Sequence, residues 1–460
     1  MLSKFTRPAV AGLDDFVFGR ARRPVRLKNG LEIGGGIVHP ELNFTLPPMA
    51  IEEGTMAEVK DQYRRMITAA CRRAVDLHLP ALVVEFELLP DLTLVPEWGA
   101  AITAILKEIL AETEAAHGVL TALRVTPNDI REFVRPPRLR DGDLVAKMFR
   151  SFELSARAGA DFLAIESTGG KELHDEAILG ADLPLSAFSL GVLASRDMAW
   201  LWDRITAIGR EAGSIPSGDS ACGFANTAMV LADQGQIPRV WAAVIRVMTV
   251  ARSLVAFEHG AVGPGKDCAY EGVYTKAITG CPVSLEGAEA ACAHLSPVGN
   301  ITKAVADLWS NESVQNVMLL GGPAPTVSLE QLAYATRLMN TASASGKDGA
   351  RQLRDWFVES DARLDPQAYI LSPAIVLSIA EDIAAEPTPY LRTRRGALSA
   401  LEKIRKAVLD GILRLSKPEE KWLGALSRQA ETLSADEGEF TAGMLKQIDR
   451  SKVRLEDYGL

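Results

Sequence analysis

The sequence predicts a (β/α)8 TIM barrel with an additional C-terminal helical layer, and three observations predict it. Helical segments alternate with short apolar runs from about residue 55 to residue 322. The runs are nearly continuous in apolar residues, as strands buried on both faces of a parallel sheet must be. Seven or eight such units suit a closed barrel better than an open sheet, and no G-x-G-x-x-G fingerprint speaks for the dinucleotide-binding alternative.

Taken in order, Thr55 with Glu58 three residues on has capping-box spacing and opens a helix that stops at Pro80. ALVVEFEL (81–88) follows as a strand. AAITAILKEILAETEAAHG is the next helix, closed by Gly118, and it leads into the strand VLTALRV (119–125). DLVAKMFRSFELSARAGA precedes the strand DFLAIES (161–167), ELHDEAILG precedes LSAFSLG (185–191), and RDMAWLWDRITAIGREAG precedes SIPSGDS (214–220). SLVAFEH (253–259) and VMLLGG (317–322) extend the strand series, and LEIGGGI (31–37) supplies an eighth. Beyond about residue 328 only helical periods remain. EGEFTAGMLKQIDR (437–450) is the weakest of these, because Gly438 and Gly443 interrupt it. Residues 1–54 read as an N-terminal extension packing on the barrel, 55–327 as the barrel with its metal site, and 328–460 as a helical extension for assembly or partner docking.

Composition bounds the function. Hydrophobic residues make up 47% of the 460 and charged residues 24%, the balance of a soluble globular protein. A net charge of −9 argues against nucleic-acid binding, which needs a basic surface. No apolar run reaches the roughly 20 residues that span a bilayer. The first residues lack the apolar core of a secretory signal. Five cysteines, an odd number, make no disulfide framework, so a reducing, cytoplasmic setting with free or metal-bound thiols is expected.

Strands of a parallel barrel present their C-terminal tips on the catalytic face. Glu166 closes DFLAIE, Cys222 lies just past SIPSGDS, and Cys268 lies in the loop GAVGPGKDCAYE beyond SLVAFEH. Positions 166, 222 and 268 are too far apart for a finger-type site but suit ligands from three βα units. Two thiolates and a carboxylate leave Zn²⁺ with formal charge −1 and an open fourth position, the pattern of a catalytic site. On spacing alone, small buried cysteines and a glutamate paired with Lys171 account for the same residues. The Gly-Pro-Gly backbone around Lys266 and Asp267 adds weight, and an ammonium beside a thiol favours the thiolate that metal needs. Glu85 and Glu87 share one face of their strand, with Phe86 on the other. Glu87, nearer the tip, could supply or accept a proton, or both could pair with cations on covering helices. Asp219 either orients a ligand or caps a helix. Cys71 reads as core, Cys281 has no evident partner, and Cys292 with His294 is weak metal evidence.

Together AIESTGGKE (164–172), SGDSACGFANTAM (217–229), RSLVAFEHGAVGPGKDCAYE (252–271), KAITG (276–280), WSNESV (309–314), LMNTA (338–342) and DPQAY (365–369) resemble the zinc subunit of methanol:corrinoid methyltransferases. The resemblance implies a (β/α)8 barrel whose zinc ligands are Glu166, Cys222 and Cys268. It implies transfer of a methyl group from methanol to Co(I) of a corrinoid on a separate subunit, and a dimer of this subunit within a larger complex. Lys266 and Glu87 are the further candidate catalytic residues. The same chemistry on a small methyl ether or methylated amine, or a zinc-bearing scaffold for a corrinoid protein, are the other readings. His259, in the E-x-G turn, and GGPAPT (321–326) depart from the family pattern and are the positions expected to reshape the pocket.

Overall fold

The structure, a computed structural model, describes residues 4–460 apart from 45, 47, 267, 288–296, 314–317 and 320–321. An antiparallel hairpin of β1 (Arg20–Arg26) and β2 (Glu32–Gly35) comes first. The strands β3 (His39–Phe44), β4 (Ala81–Glu87), β5 (Leu120–Thr126), β6 (Phe162–Ile165), β7 (Ile215–Asp219), β8 (Ser284–Glu286) and β9 (Leu308–Ser313) then form one parallel sheet. Their order is β7-β6-β5-β4-β3-β9-β8.

The edges β7 and β8 do not stay open. The Val262 and Gly263 amides donate to the Pro216 and Ser217 carbonyls at 2.9 Å each. Gly265 donates to the Pro282 carbonyl, and its own carbonyl accepts from the Ser284 amide, both at 3.0 Å. Residues 261–265 therefore occupy the sixth position of an eight-position barrel. Glycine is required there: Gly263 has φ +86°, and a Cβ on it would lie 2.7 Å from the Pro282 carbonyl oxygen.

Register layers the interior, because paired residues of a parallel ladder share a face. At the bottom, Ala81, Val83, Ala122, Phe162 and Leu308 pack against Val25, Leu27, Leu31 and Ile33 of the hairpin, an apolar plug. One level up, Arg124 Nε donates to Glu41 Oε1 at 2.8 Å, and Arg124 Nη1 donates to Ser217 Oγ and the Pro264 carbonyl, each at 2.9 Å. Ser284 donates to the other Glu41 oxygen. Both charges are fully buried, so each needs these partners. Glu85, Asn43, Thr126 and Glu87 line the rest of the interior toward the mouth.

Several expected elements differ from those observed. LSAFSLG lies in the helix Leu183–Phe188 and a π-helical turn, Ser189–Ala194, which run on into the helix Ser195–Ala212. Asp182 caps its start by accepting from the Leu185 amide. SLVAFEH lies mostly in the helix Val250–Glu258. Both are buried along most of their length, and a fully buried helix reads as a continuous apolar run. LEIGGGI belongs to the plugging hairpin. Among the described residues, Met318–Leu319 and Gly322–Pro323 pair with each other and not with the barrel sheet. The barrel strand β3 lies inside residues 1–54, so the barrel begins before residue 55. At the first long helix, Met56–Asp76, the capping box is made by Glu52 and Thr55 rather than by Thr55 and Glu58.

Contrary to the expectation from apolar run length, Arg239–Glu258 is long and apolar enough to span a bilayer, but it is wholly buried in the fold. Helix Pro389–Leu409 packs on its first half, and helix Ala324–Ala344 covers β3 and β9. One continuous apolar core runs from Phe5 to Tyr458, so the helical layer and the barrel exterior share it.

Candidate metal centre

Three consecutive barrel positions end in the three residues the motifs singled out. Glu166 is one residue past β6, Cys222 three past β7, and Cys268 three past the irregular sixth position. Their ligand atoms all lie within 4.8 Å of one another. Cys268 Sγ donates to Glu166 Oε1 at 3.1 Å. Ligands of one tetrahedral zinc stand roughly 3.5 Å apart, so a small closure would seat an ion. Cys268 is buried, while Glu166 and Cys222 stay partly exposed at the barrel mouth, where a fourth ligand would enter.

The electrostatics favour a cation at this point. For Cys222 the hydrogen bond with Cys268 favours the thiolate, but burial and the charges of Glu166 and Glu87 outweigh it and push the thiol up to about 11. For Cys268 the hydrogen bond with Cys222, burial and neighbouring negative charge all act upward, and it sits well above the ordinary thiol value. Lys266 pulls both down, as expected of an ammonium, but does not prevail. A dication would supply the missing positive charge and release both protons.

Lys266 is buried, and its Nζ lies 3.0 Å from Glu85 Oε1, 3.3 Å from Glu166 Oε1 and 3.8 Å from Glu87 Oε2. Glu85 also accepts from Thr126 Oγ1 at 2.7 Å, and Glu87 from Asn43 Nδ2 at 3.2 Å. The alternation thus places both glutamates inside the barrel, with Phe86 outside against Tyr63. Their cation comes from the Cys268 segment, not from a covering helix.

The loops bearing the ligands are braced from behind. Asp219 accepts from Arg252 Nη2 at 2.9 Å, and the same nitrogen donates to Ser167 Oγ at 2.5 Å. Asp219 therefore orients the backbone beside Glu166 and caps no helix. Asp129 accepts from the Thr168 amide and hydroxyl at 2.9 and 3.0 Å and is itself held by Arg131, which also pairs with Asp197. Glu271 Oε1 accepts from the Ala221 amide at 2.8 Å, tying the Cys222 and Cys268 loops together. Arg246 Nη1 donates to the Ala269 carbonyl, and Arg246 Nη2 donates to Gln367 of the DPQAY motif at 3.1 Å. The helical layer so reaches the site.

Sequence reasoning missed Asn43, because the polar strand β3 was not recognised. Ser220, Arg252 and Glu271 stood within the quoted motifs but gave no separate signal. Lys171 pairs with Asp175 at 2.6 Å, not with Glu166. His259 does not face the site. It precedes the sixth barrel position at the opposite end from Cys268, and its Nδ1 lies 2.7 Å from Asp203. Cys71 and Cys281 are buried. Cys292, His294, Asp267 and part of GGPAPT lie outside the described residues.

Residues 2–459 match the family model of the methanol-cobalamin methyltransferase B subunit. The methanol–corrinoid protein co-methyltransferase of Methanosarcina barkeri is 37% identical over 464 residues, covering 99% of both chains. The fold matches a chain in the crystal structure of the methanol:cobalamin methyltransferase complex MtaBC from Methanosarcina barkeri with a TM-score of 0.95, at 35% identity over 99% of both chains.

Proposed function

We propose, from the premise that this chain belongs to the methanol-cobalamin methyltransferase B subunit family, that it moves the methyl group of methanol to a corrinoid protein at a zinc centre held by Glu166, Cys222 and Cys268. The observation that carries this reading is the convergence of two thiols and a carboxylate within 4.8 Å at the mouth of a family barrel.

In this reaction the methanol C–O bond breaks, the methyl carbon takes the electron pair of Co(I), and the oxygen leaves with one added proton as water. Hydroxide is a poor leaving group, and zinc, when bound, supplies the Lewis acidity that polarises the oxygen and stabilises its developing charge. The chain supplies the rest. Glu87, at the mouth and held through its Oε2 by Asn43, is the proton donor we assign to the leaving oxygen. Lys266 spans Glu85 and Glu166, fixing the carboxylate ligand and offsetting the acidic layer. Residues 328–460 buttress the barrel, and the working unit is a homodimer joined to corrinoid-bearing subunits.

The test is direct. Purified protein is assayed for zinc, then mixed with Co(I) cobalamin and methanol while the visible spectrum is followed. One zinc per chain and a methyl–cobalt spectrum are expected. Bound zinc with no spectral change for methanol, but change with a methyl ether or methylamine, would replace the substrate. No zinc, or no methyl–cobalt with any donor, would end the reading.

A further inference from the structure

Resting on that zinc reading, we infer that Ser220 is a positioning residue which donates a hydrogen bond to the Cys268 sulfur and thereby sets how much charge that ligand gives the metal. Ser220 follows β7 directly and is buried, and its amide donates to the Ile165 carbonyl at 3.3 Å, next to Glu166. Its Oγ accepts from the Ala269 amide at 3.2 Å and stands 3.5 Å from Cys268 Sγ.

The direction of that contact follows from where the protons are. The lone pairs of Ser220 Oγ serve the Ala269 amide, and its hydroxyl proton has Cys268 Sγ within reach. When Cys268 carries a proton, its acceptors are Glu166 Oε1, 3.1 Å away, and the Cys222 sulfur, which leaves the Cys268 lone pairs to face Ser220. A metal-bound thiolate has no proton at all. In both states Ser220 is the donor. The other thiol has a weaker counterpart: Asn226 Nδ2 donates to Cys222 Sγ at 3.9 Å.

A hydrogen bond into a thiolate lowers its lone-pair energy and its donation to the metal, leaving the metal the stronger Lewis acid. Ser220 therefore acts on the reaction through Cys268 and touches no reacting atom. Losing it should make the sulfur a stronger donor and lower kcat about 10-fold, with KM for methanol unchanged.

Cobalt(II) in place of zinc reads this without turnover. Wild type and Ser220→Ala are loaded with Co(II), and the thiolate-to-cobalt charge-transfer band and the d–d bands are recorded. In Ser220→Ala the charge-transfer band should move to lower energy while the d–d pattern stays that of the wild type. Ser220→Thr, which keeps the hydroxyl, should restore the band. Asn226→Ala should give a smaller shift than Ser220→Ala. If Ser220→Ala misfolds by circular dichroism, Ser220→Cys, a weaker donor, should shift the band in the same direction. An unmoved charge-transfer band, even with weakened cobalt affinity, would leave Ser220 as a brace for Ala269 and overturn the inference. Wild type that takes up no cobalt would instead sink the metal centre, and this inference with it.

Discussion

The lower and upper halves of the barrel interior are built on the same strands and differ in almost everything else. Low on β4, β5 and β6 the inward residues are Ala81, Val83, Ala122 and Phe162, closed off by the hairpin. Two or four residues further along the same strands they are Glu85, Glu87 and Thr126, with Glu166 just past β6. The lower half is stabilised by burial of apolar surface. The upper half concentrates carboxylates and thiols around one buried ammonium, which costs stability unless a cation joins them. The contrast separates residues that keep the barrel folded from residues that make it reactive.

The largest effect should come from the ligands themselves. Glu166→Gln, Cys222→Ala and Cys268→Ala should each lose zinc and lower methyl transfer by at least about a thousandfold, since several kcal/mol of charge stabilisation go with the metal. Metal analysis beside the rate assay checks this, and normal zinc content in all three variants would end the ligand assignment. Next come the lower layers. Phe162→Ala should cost about 3–5 kcal/mol in denaturant unfolding while folded protein keeps its zinc. Arg124→Met should cost a similar amount, about 3–5 kcal/mol, by stranding the Glu41 charge. Zinc loss from folded Phe162→Ala would erase the separation between the halves.

A smaller effect is expected at the mouth. Glu87→Gln should lower kcat about a hundredfold with zinc content intact, the size of a general-acid contribution. The smallest is a pH effect beside the site. Burial raises the Glu172 carboxyl to about 7 from the ordinary 4.5. The fold therefore prefers its protonated form, and that contribution is complete below pH 4.5 and lost as pH rises through 7. Glu172→Gln should match the wild type near pH 4 and exceed its stability by about 3 kcal/mol at pH 8. Parallel melting curves at the two pH values decide it.

The same contrast governs what could be read from the sequence. Strands whose outward face and lower inward positions are apolar, such as ALVVEFEL and VLTALRV, were legible as apolar runs. β3, β8 and β9 were not, because their inward residues Glu41, Asn43, Ser284, Glu286 and Ser310 give the barrel its polar interior and break the run. The two buried helices at 183–194 and 250–258 made the opposite error, reading as strands because no polar face marks their period. The alternation still gave the architecture, since an unread strand and a misread helix left the count of units nearly unchanged. At the centre, strand-tip placement singled out Glu166, Cys222 and Cys268 only weakly, and the motif set raised them. What the motifs carried without explaining were the braces: Arg252 and Asp219, Glu271, and Gln367 with Arg246. Their partners come from distant elements, so no local pattern announces them.

The hairpin plug has a kinetic consequence. Among the described residues the barrel is stopped at its base and open at its mouth, so on the proposed function methanol and the corrinoid arrive by the same route. A docked corrinoid domain would cover that opening, trap a donor already inside and keep out one that is late. On the proposed function, turnover is then ordered, with methanol before the corrinoid protein. Excess corrinoid protein should slow the reaction at low methanol, and more methanol should relieve it.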